Sequence, residues 1–567
     1  MEVVTDKNIE ISESEVKHVA QGSRTGGAAS QKRIWEREVF LILALVFLCL
    51  FLFIFHLGPR PIWDIDEGMH ASTSKDMVLS GDWVTPTFNG KSFYDKPVLH
   101  NWFVALSLLV FGFTEFAARF PAALLGLGCV MLTYLLGREM SSPKVGFVSG
   151  VILATNGEVI ILSRTVVHDI SLGFFVTLAL LSFYMGFKNE KHRRCYVLLF
   201  YASSGFAVLA KGPLGVLLPV LIAGIFLLLQ GKMRFLREMV SGWGILIFLA
   251  IAAPWYVLIS LNNKDYAGYF FIHQNLMRFL SPRAQHHAPF YYYFPALLGG
   301  FFPWSCFLPL ALYRSLRGGL RKMGEGTAFL MIWFVVVFVF FTMASSKLST
   351  YLLPLFPAAS LLVGLLWRDL LETPTLELRK GFLYPLGFCL GVSLLALLYI
   401  QVNPPIRYEY EYGVTMSHVN ILCILAVAGF ALSFFLLLHK NSKASFCTLA
   451  GMVMVVIYVI ILMIIPSVDP YRSTKGFAQK LDRLVDPGEK FVFYRRMRES
   501  ALFYTDRKAI LLTTPQQLIN CLDSSKRVYC VINRSYFKEI KELESRAHVI
   551  DREGHKLMIS NQEESGS

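Results

Sequence analysis

Charge is scarce in this chain. Asp, Glu, Lys and Arg make up 17% of its 567 residues, where soluble domains carry about 25%. That shortage excludes an ordinary soluble enzyme, and a hydrophobic share of 54% excludes a disordered chain. Internal repeats are lacking, as is low-complexity sequence beyond a polar N-terminal arm, so neither a fibre nor a repeat array fits. No CxxC pair occurs among the nine cysteines. Cys49, Cys129, Cys306, Cys389 and Cys423 sit inside apolar blocks, where a thiol behaves as a small hydrophobe. Acidic residues number 40 against 54 basic ones. In a soluble chain that excess would suggest nucleic acid. Here the basic residues cluster in short loops between apolar runs, which is the pattern of membrane orientation. An integral membrane protein remains.

A helical crossing needs about 20 apolar residues. The first block, 39–57, follows a polar arm, 1–38, that ends in Lys32, Arg33 and Arg37. It is longer than the roughly 7–15-residue apolar core of a cleavable signal peptide and exits into Gly58-Pro59-Arg60-Pro61. A retained helix with a cytoplasmic N-terminus is expected. Further candidates are 117–137, 144–161, 168–187, 195–210, 213–229, 240–260, 291–312, 328–344, 349–366, 381–400, 418–438 and 445–465, which makes 13 in all. The stretch 99–113 is apolar but short, and reads as interfacial or re-entrant. With 13 crossings, loops carrying Arg138 and Lys144, then Lys188, Lys191, Arg193 and Arg194, then Lys232, Arg234 and Arg237 all face the cytoplasm. So do those carrying Arg314, Arg317, Arg321 and Lys322, then Arg368, Arg379 and Lys380, then Lys440 and Lys443. One more crossing would turn every one of them outward, against the positive-inside rule.

The fold class is therefore a polytopic α-helical membrane protein, with a transmembrane domain over 39–465 and residues 466–567 outside the cytoplasm. In that tail KFVFY, KAILLT, RVYCVIN and HVIDRE read as strands between helical stretches near Glu499–Tyr504, Pro515–Cys521 and Tyr536–Glu544. This predicts a small extracytoplasmic α/β domain. Cys521 and Cys530 are close enough in sequence to pair there in an oxidising compartment.

The outer loops collect ionisable groups. The first, 58–98, holds Asp66-Glu67, Gly81-Asp82-Trp83 and Phe93-Tyr94-Asp95-Lys96-Pro97; others hold His168-Asp169, Lys211, His273 with Arg278, Arg283 and His286-His287, and Lys347 with Tyr351. Charges at membrane depth are costly unless paired or facing water. A mixed set suits one task, with cations holding a phosphate while a carboxylate positions or deprotonates a hydroxyl. Taken singly, each residue has a plainer role. A lysine at a helix end snorkels, three tyrosines form an interfacial belt, and Asp66 N-caps a helix over Glu67–Leu79. Convergence of five loops on one face favours a site.

Asp66-Glu67, Gly81-Asp82-Trp83, Phe93 to Pro97 and Ala118-Arg119-Phe120-Pro121, continued by Leu209 to Gly212, Ala284 to Tyr293 and Ser346 to Tyr351, resemble the GT-C membrane glycosyltransferases. The likeness is greatest to the bacterial family that moves aminoarabinose from undecaprenyl phosphate onto lipid A, with the dolichyl-phosphate-mannose protein mannosyltransferases as relatives. The resemblance implies catalytic roles for Asp66, Glu67 and Asp169, and polyprenyl-phosphate binding by Lys96, Lys211, Arg278, Lys347 and Tyr351. It also implies a divalent metal, Zn or Mg, held by Asp95 with either His273 or His286. Departures lie beside the acceptor: Met69-His70 stand where the arabinose enzymes have Arg-Tyr, Asp95 where they have Glu, and Val98 where relatives have Pro.

The expected function is transfer of a sugar from a polyprenyl-phosphate carrier to an envelope acceptor such as lipid A, on the outer face of a bacterial inner membrane, with inversion at the anomeric carbon. A protein O-glycosyltransferase of the same fold is the near alternative. A transporter or flippase is the distant one; it would need ionisable residues near mid-bilayer and paired repeats, and the sequence has neither.

Overall fold

The computed structural model describes residues 36–280, 286–317, 319, 323–404, 409, 411–485 and 491–563. The polar arm before Glu36, together with Arg283, Arg321 and Lys322, lies outside the described residues. Nine described helices are long and apolar enough to cross a membrane, among them Glu36–Ile54, Glu115–Met140, Asp169–Lys188, Gly242–Asn262 and Leu376–Val402. Two bent pairs, Pro143–Ala154 with Gly157–Ser163 at 70° and Phe290–Gly300 with Trp304–Leu316 at 112°, bring the number to 11. The expected 13 is reached only by adding Arg193–Lys211 and Leu214–Leu229. The first carries charge at both ends and the second spans 16 residues, so length and apolarity alone do not make them crossings. The chain is a multi-pass membrane protein.

Local chemistry sets the breaks. Thr114 caps Glu115–Met140 by accepting from the Ala117 N–H, and Asn156 starts Gly157–Ser163, the second helix of the 70° pair, by accepting from Val159 N at 2.8 Å, as N-caps do. The apolar stretch after Lys96 forms the 13-residue helix Leu99–Phe111, about 20 Å at 1.5 Å per residue and too short to cross. Residues 87–92 form a small hairpin, β1 (Thr87–Phe88) and β2 (Lys91–Ser92).

The tail folds into a five-stranded sheet of β3 (Phe491–Tyr494), β4 (Ala509–Leu512), β5 (Tyr529–Asn533), β6 (His548–Glu553) and β7 (Lys556–Ser560), in the order β4-β3-β5-β7-β6. β3 runs parallel to β4 and β5, while β7 is antiparallel to β5 and β6. Alternation along β3 sends Phe491 and Phe493 into one apolar cluster and Val492 and Tyr494 into the other. Cys521 and Cys530 are free thiols, as is every cysteine.

Between the bundle and this domain lies the polar helix Asp66–Ser80. Its second residue, Glu67, is buried and ties the elements together. Arg60 Nη2 donates to both carboxylate oxygens at 2.8 and 2.9 Å, Arg119 does so through Nε and Nη2 at 2.8 and 2.9 Å, and the Trp63 N–H adds a bond at 3.0 Å. Burial would raise the Glu67 carboxyl, but Arg119 and Arg60 overcome it and hold the group down to about 2. Removing one partner of a buried pair typically costs about 3–5 kcal/mol. Arg119→Met should lose that much, read by chemical unfolding in detergent. Because the carboxyl is depressed, the contribution is complete above its ordinary value of 4.5 and lost as pH falls toward about 2. The gap between parent and variant should therefore close over that range. A variant as stable as the parent at pH 7 would refute the clamp.

Candidate active site

Glu67 faces the core, and its neighbour consequently does not. Successive helical residues differ by about 100° in direction, so Asp66 points away from the clamp. The helix begins at Asp66 itself, behind Ile65, which supplies no side-chain cap, so the N-cap role considered for Asp66 is not the one it plays. Its carboxylate is exposed, without a hydrogen bond among the described residues. Burial by the surrounding walls, with like charge from Asp169 and Asp95, raises the carboxyl above its usual range, while Lys96 and His286 pull it down. Residues from three loops thus meet around one side chain. Glu67, expected beside Asp66 in catalysis, is instead the structural half of the pair, since its oxygens are saturated by the two arginines.

Asp169 opens the helix Asp169–Lys188 and accepts from Lys211 Nζ at 2.5 Å. Lys211, in turn, lies 4.3 Å from the centre of the Tyr351 ring. Asp169 is thereby engaged in holding Lys211 and is no free base. Gly212 ends the Lys211 helix with φ of +81°, and a Cβ there would come within 2.9 Å of the Phe270 ring. Only glycine fits that turn. The Tyr94 hydroxyl donates to Asn263 Oδ1 at 2.5 Å and so fixes the Asp95-Lys96 pair that follows. Lys96 sits 3.6 Å from Asp95 Oδ2. Burial lowers its ammonium, Asp95 and Asp169 oppose this, and Lys211 and Arg278 add to it.

These groups open onto a cavity of about 390 Å³. Asp95, Lys96, Lys211, Arg278 and Tyr351 line its polar end, and Leu214, Leu217, Phe270, Phe271, Phe340 and Phe341 the other. Leu217, Phe271 and Leu276 are exposed, so the apolar end opens at an apolar surface of the bundle. One wall is the π-helical stretch Gly268–Met277, a rare form often met at functional sites. Arg278 follows it, donating Nη1 to Gln274 Oε1 at 2.9 Å while its buried Nε has no partner among the described residues. Across the cavity mouth Ser346 N bonds the Arg278 carbonyl at 3.2 Å, Lys347 N bonds that of His286 at 3.0 Å, and Ser346 pairs with His287 in a β-bridge. Lys347 is buried behind this strap with its ammonium donated to the Ala344 carbonyl. It backs the cavity instead of lining it.

Asp95 with either His273 or His286 is the pair expected at a metal. His273 is exposed beside Tyr269, whereas His286 stands near Asp66. Among the described residues no three His, Cys, Asp or Glu converge on a point that could hold an ion. The donors present do not fit a metal centre.

Sequence reasoning missed three features: the Arg60–Glu67–Arg119 clamp, the apolar half of the cavity, and three buried histidines, His70, His100 and His168, packed on one another beside Asp169. The one signal available for the last was His70 at a position where the resembled family has tyrosine.

Residues 95–258 match the family described as dolichyl-phosphate-mannose-protein mannosyltransferase. Among solved structures, ArnT from Cupriavidus metallidurans bound to undecaprenyl phosphate superposes with a TM-score of 0.78 at 22% identity, over 92% of this chain and 98% of that one. The Archaeoglobus fulgidus oligosaccharyltransferase tethered to an acceptor peptide reaches 0.51 at 13% identity, over 89% and 70%. Both show the fold, that of the GT-C glycosyltransferases. Among curated proteins, the undecaprenyl phosphate-alpha-4-amino-4-deoxy-L-arabinose arabinosyl transferase of Aeromonas salmonicida is 32% identical over 67% of this chain and 71% of its own length. That of Pseudomonas paraeruginosa is 32% identical over 67% and 69%. With that identity over more than two thirds of these relatives, the chain belongs to the undecaprenyl phosphate-aminoarabinose arabinosyl transferase family.

Proposed function

We propose that this protein transfers a sugar from a polyprenyl-phosphate carrier to lipid A or another envelope acceptor at the outer face of a bacterial inner membrane. The observation that carries this reading is the two-ended cavity. Cations at one end and an apolar corridor open to lipid at the other match an amphiphile with a phosphate head and a prenyl tail, and match neither a nucleotide sugar nor a soluble glycan. The relatives' names supply a first donor to test, 4-amino-4-deoxy-L-arabinose on undecaprenyl phosphate.

In the reaction, an acceptor oxygen attacks the anomeric carbon, the bond from that carbon to the phosphate oxygen breaks, and polyprenyl phosphate leaves with the bonding pair, with inversion. Lys96 and Arg278 face the departing phosphate and stabilise the charge it gains, while Lys211, steadied by Asp169 and Tyr351, adds a third cation. Lys347 holds the strap that closes the cavity. Asp66 takes the proton when the acceptor is a hydroxyl; a phosphate acceptor brings none to remove, and Asp66 then orients it. A protein acceptor would need a peptide channel on the Asp66 side, and no feature of the structure favours one.

The proposed orientation puts the N-terminus in the cytoplasm and residues 466–567 outside. Reporter fusions at Lys191 and Arg317 should read cytoplasm, and one after Ser467 should read the outside; a cytoplasmic signal from the last would overturn the placement of the site.

Loss of one preorganised donor to a developing anion costs about 10²–10³-fold in rate. Lys96→Ala and Arg278→Ala should each lose at least about 10²-fold in transfer from undecaprenyl phosphate-aminoarabinose to lipid A, at normal membrane levels. Wild-type turnover in both would remove them from the site.

Asp66→Asn keeps the shape and loses the charge. It should give a folded protein that does not transfer, assayed in proteoliposomes. In the parent, the raised carboxyl predicts that activity falls on acidification at a higher pH than an ordinary aspartate at 3.8 would allow, because the base works only when deprotonated. Full activity in the asparagine variant would return Asp66 to a structural role.

A further inference from the structure

His70, His100 and His168 come from three different elements, the helix Asp66–Ser80, the helix Leu99–Phe111 and the turn before Asp169. Their rings pack together: His70 and His168 lie 4.3 Å apart between centroids, and His100 and His168 5.0 Å. All three are buried, at 6%, 0% and 3% exposure. Among the described residues only one ring bond is made, between His100 Nδ1 and Ser171 Oγ at 2.9 Å. His70 Nδ1, His100 Nε2 and both ring nitrogens of His168 have no partner among the described residues. Buried polar atoms are rarely left this way, because each forfeits its hydration without return.

Placement gives the cluster its meaning. His70 is one turn beyond Asp66 and so on the same helix face. His168 precedes Asp169 directly, and Ser171, which holds His100, lies two residues after it. The charges of Lys96, Asp95 and Asp169 all act on His70. His70 thus stands within the field of Lys96, Asp95 and Asp169, the same groups that act on Asp66, and His168 adjoins Asp169, which puts the cluster beside the polar end of the site. Their chemistry is also selective. Burial lowers His70 to about 4 and His100 to about 3, so the rings are neutral at physiological pH. A neutral imidazole offers one donor and one acceptor, the same pair a sugar hydroxyl offers, whereas a phosphate needs donors only. His70 meets His168 edge to face at 67° and His100 is tilted against His168 at 50°, and among the described residues their nitrogens do not converge on a metal position.

We propose that His70, His100 and His168 form the subsite that recognises the uncharged hydroxyl face of the donor sugar, as distinct from the cations that take the carrier phosphate. This rests on the polyprenyl-phosphate-sugar reading of the cavity.

The test compares binding of two probes to the full-length protein in nanodiscs: undecaprenyl phosphate, and the same carrier bearing 4-amino-4-deoxy-L-arabinose. The parent should prefer the sugar-bearing probe by about tenfold or more, the worth of one or two buried hydrogen bonds. His70→Phe should abolish that preference while binding the bare carrier as the parent does, and this unchanged binding also certifies its fold. His70→Gln, which keeps a donor and an acceptor, should retain much of the preference. His168→Asn, a smaller change at the third ring, should weaken it and serves where the phenylalanine variant does not fold. A preference intact in both His70→Phe and His168→Asn, or phenylalanine and glutamine variants that behave alike, overturns the subsite. A parent that binds both probes equally also overturns it while leaving the carrier reading standing. A parent that binds neither overturns the carrier reading, and the subsite with it.

Discussion

The buried carboxylate of Glu67 is the constraint on which the site depends. Taking a carboxylate and two guanidinium groups out of water is expensive and is repaid only when nearly every polar atom is bonded. Here each oxygen of Glu67 has at least two donors. Arg119 spends its remaining hydrogens on the carbonyls of Leu57, Arg60 and Pro61, so the loop leaving the first span is drawn onto the span Glu115–Met140. With Glu67 pinned inward, Asp66 has one direction left, toward the cleft. The two carboxylates are adjacent in sequence and opposite in use.

A second constraint is electrostatic and concerns what the clamp leaves open. Lys211 is neutralised by Asp169, whereas among the described residues Lys96 has a loose charged partner in the Asp95 carboxylate at 3.6 Å, with a bond to the Asp95 carbonyl at 3.2 Å, and Arg278 a neutral one in Gln274. Cations at membrane depth are costly unless paired or hydrated. Two incompletely satisfied cations beside an apolar corridor therefore mark where an anion with a lipid tail gains most. Asp66 lies across from them with its charge disfavoured by Asp169 and Asp95, a condition suited to accepting a proton.

What could be read from the sequence, and what could not, follows sequence distance. Apolar runs announce long helices directly, and all nine qualifying helices lie where long apolar runs do. The uncertain spans, Arg193–Lys211 and Leu214–Leu229, are those where one end must stay polar to deliver Lys211 or the run is short. Strand β7 went unread because its signal, a Gly554-His555 turn with Gly554 at φ +59° joining β6 to KLMIS, is a two-residue hairpin near the chain's end. Asp66, Lys96, Asp169, Lys211, Arg278 and Tyr351 were legible as motif residues on one face. The split between Asp66 and Glu67 was not, because it is decided by Arg119, 52 positions away. The histidine cluster was hidden for the same reason, since its members stand 30 and 68 residues apart and each alone resembles an ordinary core histidine.

The small domain belongs to this account although it donates no side chain to the cavity. The helix Asp66–Ser80 is polar along most of its length, yet His70, Ser72, Thr73, Ser74 and Lys75 are all buried. A polar helix stays folded in such a place only when both sides are covered and its groups are bonded. The bundle covers one side. The segment Glu499–Tyr504 covers the other, so closely that a Cβ on Gly68 would lie 2.5 Å from Ser500 N. Asp64 accepts from Ser500 N at 2.8 Å, Lys75 donates to the carbonyls of Phe503 and Thr505 at 2.9 and 3.2 Å, and Asn89 exchanges two bonds with Ala509. The hydroxyl of Tyr504 accepts from Ile62 N at 2.7 Å and bonds Glu115, so the domain also grips the loop that the clamp holds from inside. A carboxylate whose use depends on its direction needs a helix that cannot roll. Arg119 prevents rolling from the bundle side and the small domain prevents it from the opposite side, so Asp66 is held in place by residues outside the cavity.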